Sequence, residues 1–88
     1  MKAIRWSKPF SRRYQQRIAK DERLTEEFWA SIETFWVDPE SVHDHPLENV
    51  MEGQRAFSIN QEYRVVYIEK ADAYVFLDVG THAQVYRR

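Results

Sequence analysis

Residues that can transfer protons or bind phosphate occur in the second half of this chain. Histidine titrates near neutral pH, so His82 can act as a general base or a general acid. The guanidinium of Arg64 offers a fixed fork of donors that matches a phosphate. His45 or Glu62 could supply a second proton-transfer group. A base, a cation and an acid are what attack of an RNA 2′-hydroxyl on its own phosphodiester requires without a metal ion.

An aromatic residue near the end of the sequence could complete such a site. Tyr86 could stack on an unstacked base, which is a common mode of single-strand RNA recognition and is worth about 1–3 kcal/mol per base. We therefore expect His45, Arg64, His82 and Tyr86 to converge on one face of a sheet. Such a set is chemically coherent with RNA cleavage.

The same residues also have purely structural interpretations, which the sequence leaves open. His82 could cap a turn, and Tyr86 could close the core at the C-terminus. Arg64 could pair with Asp78 or Glu62 across neighbouring strands, where opposite charges often meet. His45 precedes a proline in a loop and could be a packing residue.

Composition restricts the class of protein. The chain has 88 residues, 15 % of them aromatic, and no cysteine, which predicts one compact domain over residues 1–88 without disulfides or thiolate metal sites. The pair of histidines around Asp44 lacks a third partner in sequence, so we expect no metal and no other cofactor. No apolar run approaches the roughly 20 residues of a membrane span. These features predict a soluble, cytoplasmic protein.

The formal net charge of −1 conceals an uneven distribution. Residues 1–20 contain seven cations and no acid, whereas residues 21–52 contain ten acids and only Arg23 as a cation. Such runs are often solvated helix faces, but they could also mark a surface for an acidic partner or for RNA. The low overall charge argues against strong non-specific RNA binding.

The first half of the chain predicts a strand followed by two helices. Alternation over residues 2–6 indicates a short edge strand. Ser7 is a plausible N-cap for a helix over residues 9–20. Thr25 is expected to cap a second helix, which must end before Asp38 because a proline follows that residue. The two helices should form a hairpin.

The second half predicts three strands in a meander. Residues 38–53 indicate a loop, with one turn of helix expected near residues 48–51. Strands are expected over residues 54–60, 63–70 and 73–79, the last apolar on both sides and therefore interior. The order β-α-α-β-β-β predicts an α+β fold in which a helical hairpin packs on one face of a small, mainly antiparallel sheet.

These elements carry short motifs in a characteristic order: His45-x-Leu47, Gly53-x-Arg55, Ile59, Tyr63-Arg64-Val65-Val66-Tyr67 and Gly80-Thr81-His82-x-x-Val85-Tyr86. Their spacing resembles that of the RelE/ParE superfamily of type II toxin–antitoxin toxins, over nearly the whole chain. Within the superfamily, the histidine spacing is most similar to the YafQ/RelE branch of mRNA interferases. The resemblance implies the same α+β fold.

The resemblance also implies a function. Toxins of this branch are ribosome-dependent endoribonucleases that cut mRNA and are neutralised by a cognate antitoxin, whereas the ParE branch attacks DNA gyrase. The expected partners are therefore an antitoxin, the ribosome and mRNA, with neither a membrane nor a small-molecule cofactor. The antitoxin would lay a strand or an amphipathic helix on the chain, and the basic helix over residues 9–20 is a plausible docking site.

Matched to the family pattern, His82 occupies the position of a catalytic basic residue and Arg64 that of a phosphate-binding arginine. The resemblance implies catalytic roles for His82, Arg64, His45 and Glu62. It implies RNA-binding roles for Tyr86, Tyr63, Arg55 and Arg87.

Two positions depart from the pattern. Ser58 stands where the YafQ branch has a catalytic histidine, and Ala56 lacks the positive charge of the family. Two alternatives therefore remain beside the endoribonuclease. One is a non-catalytic RelE-like binding module that still pairs with an antitoxin-like protein, and the other, less supported, is a ParE-like gyrase inhibitor.

Overall fold

The computed structural model of this protein describes residues 2–42, 45–46 and 53–86. Its elements in chain order are β1 (Ala3–Trp6), α1 (Lys8–Arg17), α2 (Glu22–Val37), a 3-10 turn (Pro39–Val42), β2 (His45–Pro46), β3 (Arg55–Ser58), β4 (Tyr63–Glu69), β5 (Ala73–Thr81) and α3 (His82–Tyr86). The predicted helical turn near residues 48–51 lies outside the described residues.

Helix α1 begins where the sequence predicts. The hydroxyl of Ser7 accepts a hydrogen bond from the backbone N–H of Phe10 at 3.2 Å, so Ser7 is the N-cap. The helix ends at Arg17, three residues before the predicted end, because the N–H groups of Ile18 and Ala19 both bond to the carbonyl of Tyr14. These two bonds to the Tyr14 carbonyl end the helix, and the chain then turns towards α2.

Helix α2 begins earlier than predicted, and the expected cap at Thr25 is wrong. Asp21 is the N-cap, because its Oδ1 accepts from the N–H of Leu24 at 3.0 Å. The hydroxyl of Thr25 instead donates to the carbonyls of Ile18 and Asp21, at 3.0 and 2.9 Å. Asp21 and Thr25 are both suitable N-cap residues. Asp21 takes the position because a carboxylate is a stronger hydrogen-bond acceptor than a hydroxyl. The helix ends at Val37, before Asp38, as predicted.

The strands form one five-stranded sheet in the order β1-β5-β4-β3-β2. Strand β1 is parallel to β5, and the other neighbours are antiparallel. The predicted α+β fold, with its edge strand β1 and interior strand β5, is confirmed. Strand β2 was not predicted, because its two residues fall within a loop-like sequence containing a proline.

A β-bulge in β5 decides which residues of that strand face the helices. Tyr67 pairs with Phe76 while the preceding Val66 pairs with Asp78, which leaves Leu77 without a Cα partner in the register. Phe76 and Val79, three residues apart, consequently both enter the core between the sheet and the helices. Asp78 and Gly80 fall in register with Val66 and Arg64.

The main core lies between the helical hairpin and the sheet and is rich in aromatic rings. Phe35 stacks on Phe57 with ring centroids 4.4 Å apart, and the edge of Tyr67 meets Phe35 at 5.0 Å. A smaller cluster of Ala56, Val66 and Val85 lies on the sheet face away from the hairpin. Within the described part of the chain, no helix is long and apolar enough to cross a membrane.

Candidate active site

Residues 82–86, beyond the last predicted strand, form the short helix α3. The hydroxyl of Thr81 accepts from the N–H of Gln84 at 3.2 Å, and the side-chain oxygen of Gln84 accepts from the N–H of Thr81 at 2.8 Å. This reciprocal pair is a capping box, and Thr-x-x-Gln is the sequence signal that could have predicted it. His82 is therefore the first residue of a capped helix, where its side chain is exposed.

The imidazole of His82 lies against the phenol ring of Tyr86, one helical turn later. Their ring centroids are 4.4 Å apart and the rings meet edge to face. Val85 between them is 1 % exposed and anchors α3 on Ala56 and Val66 of the sheet. Because Val85 is buried against the sheet, the rings of His82 and Tyr86 on either side of it are held over the sheet face away from the hairpin.

The charge of Arg64 acts on Tyr86. Burial raises the pKa of the Tyr86 phenol above its ordinary value of 10.0, and the positive charge of Arg64 partly opposes this rise. The Tyr86 hydroxyl is buried and makes no hydrogen bond within the described residues. Arg64 is also paired with Gly80, two residues before the start of α3, so Arg64 lies on the side of the sheet that carries His82 and Tyr86. Their catalytic and RNA-binding roles remain predictions.

The guanidinium of Arg64 is held by backbone carbonyls of the β3–β4 turn. Its Nη1 donates to the carbonyls of Asn60, Gln61 and Tyr63, at 2.8, 3.2 and 3.1 Å. Nε and Nη2 donate to no group within the described residues and can take a phosphate. The structure does not show the alternative pairing of Arg64 with Asp78. The Asp78 carboxylate instead pairs with Arg13 and Arg17, at 3.1 and 3.5 Å.

Glu62 and His45 approach this group through the backbone. The carbonyl of Glu62 accepts from the N–H of His82 at 2.9 Å, and its carboxylate is on the exposed turn. His45 pairs with Ala56 in the β2–β3 register, next to the small cluster under α3. The side chain of His45 and all of Arg87 lie outside the described part of the chain.

Two predicted RNA-binding residues are separated from the group. Tyr63 packs against the main core, on the hairpin side of the sheet. Arg55 donates from Nε to the hydroxyl of Tyr67 at 3.3 Å, and Tyr67 also belongs to that core. Both therefore lie on the sheet face opposite Val66 and Arg64, since strand residues alternate between faces.

The two departures from the family pattern have different surroundings. Ala56 is 0 % exposed beneath Val85, so a solvated cation at this position would displace α3. Ser58 is half-buried and pairs directly with Arg64 across the strands. A histidine at Ser58 would thus stand beside the guanidinium, whereas the serine supplies only a hydroxyl.

An open groove of about 770 Å³ lies beside the site, between α2 and the β3–β4 turn. Ser58 and Arg64 line it together with Glu27, Ser31 and Thr34 of α2. Arg64 thus lines this groove and is also paired with Gly80, near the start of α3. No group of three His, Cys, Asp or Glu side chains that could hold a metal ion occurs within the described residues.

The junction between β5 and α3 is held from α1, which sequence reasoning missed. Nη1 of Arg17 donates to the carbonyl of Val79 at 2.8 Å, beside its ion pair with Asp78. A Cβ on Gly80 would lie 2.6 Å from that Nη1 and 2.5 Å from the side-chain oxygen of Gln84. A side chain at Gly80 would therefore displace the ends of the Arg17 and Gln84 side chains, where α1, β5 and α3 meet. No short-range sequence pattern predicts a contact among three separate elements such as α1, β5 and α3.

The influence of Arg64 on Tyr86 gives a first prediction. In Arg64→Ala the pKa of the Tyr86 phenol should rise further above 10.0, because the opposing positive charge is removed and burial remains. Because this pKa is raised in the folded state, the phenol's contribution to stability is present below pH 10.0 and is lost as pH rises through the folded pKa. NMR titration of ¹³Cζ-labelled tyrosines, with Tyr86→Phe for assignment, measures this pKa in the unmodified protein and in the variant.

The matched control is Arg12→Ala, which removes an exposed arginine from α1. It should leave the pKa of Tyr86 unchanged. A fall in that pKa on removal of Arg64 would contradict the arrangement described above.

No family model matches the sequence, and no curated protein matches it. Solved structures do match the fold. YafQ from E. coli superimposes with a TM-score of 0.76 at 20 % identity, covering 98 % of this chain and 99 % of that one. The YoeB/ParE toxin from Agrobacterium tumefaciens gives 0.73 at 22 % identity, with 93 % and 99 % covered. The heterotetrameric YoeB-YefM toxin-antitoxin complex from Staphylococcus aureus gives 0.72 at 15 %, with 93 % and 98 % covered. The fold that the sequence resemblance implied is thus confirmed.

Proposed function

We propose that this chain is the toxin of a type II toxin–antitoxin system of the RelE/ParE superfamily, and that it cuts mRNA on the ribosome. The observation that carries the proposal is the group of His82, Arg64 and Tyr86 on the sheet face opposite the hairpin. The fold shared with YafQ and the YoeB/ParE toxin supports it. A fold alone does not specify an activity, so the chemistry depends on these side chains.

The proposed reaction is transesterification at one phosphodiester. A base removes the proton of the ribose 2′-hydroxyl, whose oxygen attacks phosphorus, and the bond from phosphorus to the 5′-oxygen breaks. An acid protonates that oxygen, leaving a 2′,3′-cyclic phosphate and a 5′-hydroxyl. His82 transfers one of these protons, and Glu62 or His45 transfers the other. No metal ion takes part in this scheme.

Arg64 stabilises the charge that develops on the phosphorane oxygens. Its Nη1 is fixed by three carbonyls, so the guanidinium is oriented before RNA arrives. Nε and Nη2 then donate to two phosphate oxygens, the bidentate geometry that arginine favours. The ring of Tyr86, held against His82, offers a surface on which the neighbouring base stacks.

A cognate antitoxin is the proposed protein partner. Three of the similar structures are toxin–antitoxin complexes, two of DinJ with YafQ and one of YoeB with YefM. In this chain the exposed cations Lys8, Arg12 and Lys20 lie on or just after α1, where they suit an acidic segment of a partner. The proposed place of action, with ribosomes and mRNA, is the cytoplasm.

One observation favours a second candidate, a non-catalytic binding module. Ser58 beside Arg64 and the buried Ala56 leave fewer cations and no second imidazole among the described side chains of the sheet face. Such a module would keep the antitoxin surface and lose cleavage. The described residues supply no comparable observation for gyrase inhibition.

Inducible expression distinguishes the candidates. The endoribonuclease predicts growth arrest, with messages cut at codons on translating ribosomes and DNA intact. Normal growth with intact messages would support the binding module, and arrest with DNA damage and intact messages would support gyrase inhibition. Co-expression of the small protein encoded by the adjacent reading frame should relieve the arrest.

A further inference from the structure

One side chain organises the turn that positions the site. The Oδ1 of Asn60 accepts from the N–H groups of Glu62 and Tyr63, both at 2.8 Å. Its Nδ2 donates to Oε1 of Glu27, on α2, also at 2.8 Å. The first two bonds shape the turn between β3 and β4, and the third anchors that turn to the helical hairpin. The amide of Asn60 thus bonds both within its own turn and to a helix residue 33 positions earlier in the chain.

The same turn supplies the carbonyls that hold the proposed site. The carbonyls of Asn60 and Gln61 accept from Arg64, and the carbonyl of Glu62 accepts from the N–H of His82. A displacement of the turn would therefore move the guanidinium and the start of α3 together. A shift of about 1 Å in such groups is enough to lower a rate by about a hundredfold.

We propose that Asn60, anchored by Glu27, is a positioning residue that sets the relative placement of Arg64 and His82. This inference rests on the proposed function for its effect on cleavage, but its structural content can be measured without cleavage. Asn60 touches no reacting atom in the proposed mechanism. It acts through the carbonyls of its own turn.

The chemistry of the Asn60–Glu27 bond allows a test by exchange of donor and acceptor. Asn60→Asp keeps the acceptor for the turn N–H groups but loses the donor and places a second carboxylate against Glu27. Glu27→Gln keeps an acceptor oxygen for Asn60. In the double variant N60D/E27Q the new amide on α2 donates to the new carboxylate in the turn, so the bond is restored in the opposite direction.

The experiment compares these variants in the full chain, with three readouts. They are the hydrogen-exchange protection of the His82 amide, the titration of Tyr86 as a reporter of Arg64, and the rate of mRNA cleavage. N60D should lower His82 protection and cleavage at least about tenfold and shift the Tyr86 titration, since groups displaced by about 1 Å lose rates of this order. E27Q should resemble the unmodified protein, and the double variant should recover most of each loss.

A control and a milder variant keep the test decisive. Gln61→Ala alters an exposed side chain of the same turn and keeps its carbonyl, so it should change none of the readouts. Glu27→Ala removes the anchor to α2, together with an ion pair to the exposed Arg23 at 3.8 Å, and provides a folded variant if N60D unfolds; it should lower His82 protection and shift the Tyr86 titration in the same direction.

The outcomes separate this inference from the proposed function. If His82 protection is lost in N60D and recovered in the double variant while cleavage stays unchanged, the positioning role is overturned. Unaltered protection in both N60D and Glu27→Ala would also overturn it. If the unmodified protein cuts no mRNA, the proposed function fails, while parallel changes in the His82 and Tyr86 readouts would still support Asn60 as the residue that couples Arg64 to α3.

Discussion

Replacement of His82 by glutamine should lower ribosome-dependent cleavage by about 10²–10⁴-fold, the contribution of one positioned proton-transfer group. The glutamine can keep the polarity of the position but cannot exchange a proton near neutral pH. The fold should be unaffected, because the side chain of His82 is exposed and the capping of α3 depends on Thr81 and Gln84. The measurement is the rate of message cleavage by purified variants at equal concentration, with thermal melts to establish folding.

A matched control places the same new side chain one residue further along the chain. Ala83→Gln alters an exposed position of α3 and should keep cleavage within about threefold of the unmodified protein. Equal cleavage by the His82→Gln and Ala83→Gln variants would remove His82 from the mechanism. The group of Arg64 and Tyr86 would then lack a proton-transfer residue of its own.

The core substitution with the largest expected cost is Phe57→Ala, which should destabilise the protein by about 3–5 kcal/mol. Phe57 is 0 % exposed and stacks on Phe35 at 4.4 Å, with Phe76 at 5.8 Å. Removing the ring leaves a cavity between the hairpin and the sheet. Since small domains are stable by only about 5–15 kcal/mol, the variant should be close to unfolding at 37 °C.

Urea denaturation of the variant and of a matched control measures this cost. Val37→Ala removes apolar atoms from a residue that is 84 % exposed, so its free energy of unfolding should change by no more than about 0.5 kcal/mol. Phe57→Leu should fall between the two. Equal costs for Phe57→Ala and Val37→Ala would show that the sheet and the hairpin do not share the core described above.

The parts of the fold that the sequence predicted depend on local or periodic signals. Ser7 caps α1 and Pro39 limits α2 because each acts on residues within one turn. The strands of the meander followed from apolar runs separated by turn residues. The cap of α2 was misplaced because Asp21 and Thr25 are both good caps, and the sequence does not show which of them meets a free N–H.

The faces of the sheet could have been predicted in part. Alternation in β3 places Arg55 with Phe57, away from Ala56 and Ser58, and it should have separated Arg55 from the predicted site. Tyr63 and Arg64 are likewise adjacent and therefore on opposite faces. The bulge at Leu77 could not be predicted, because it depends on the pairing register with β4.

The residues near the site that could not be predicted make contacts with residues far away along the chain. Arg17 reaches the carbonyl of Val79, and Asn60 reaches Glu27. Neither pair has a spacing motif, because the contacts exist only after the hairpin has packed on the sheet. The orientation of Arg64 towards carbonyls of its own turn also depends on a side-chain conformation that the sequence does not specify.

In a purified translation reaction with a defined message, the protein should cut that message only when ribosomes are present. Each cut should leave a 5′-hydroxyl on the downstream fragment, and the His82→Gln variant should leave the message intact. Message that stays intact with the unmodified, folded protein, or that is cut equally well without ribosomes, would contradict the account.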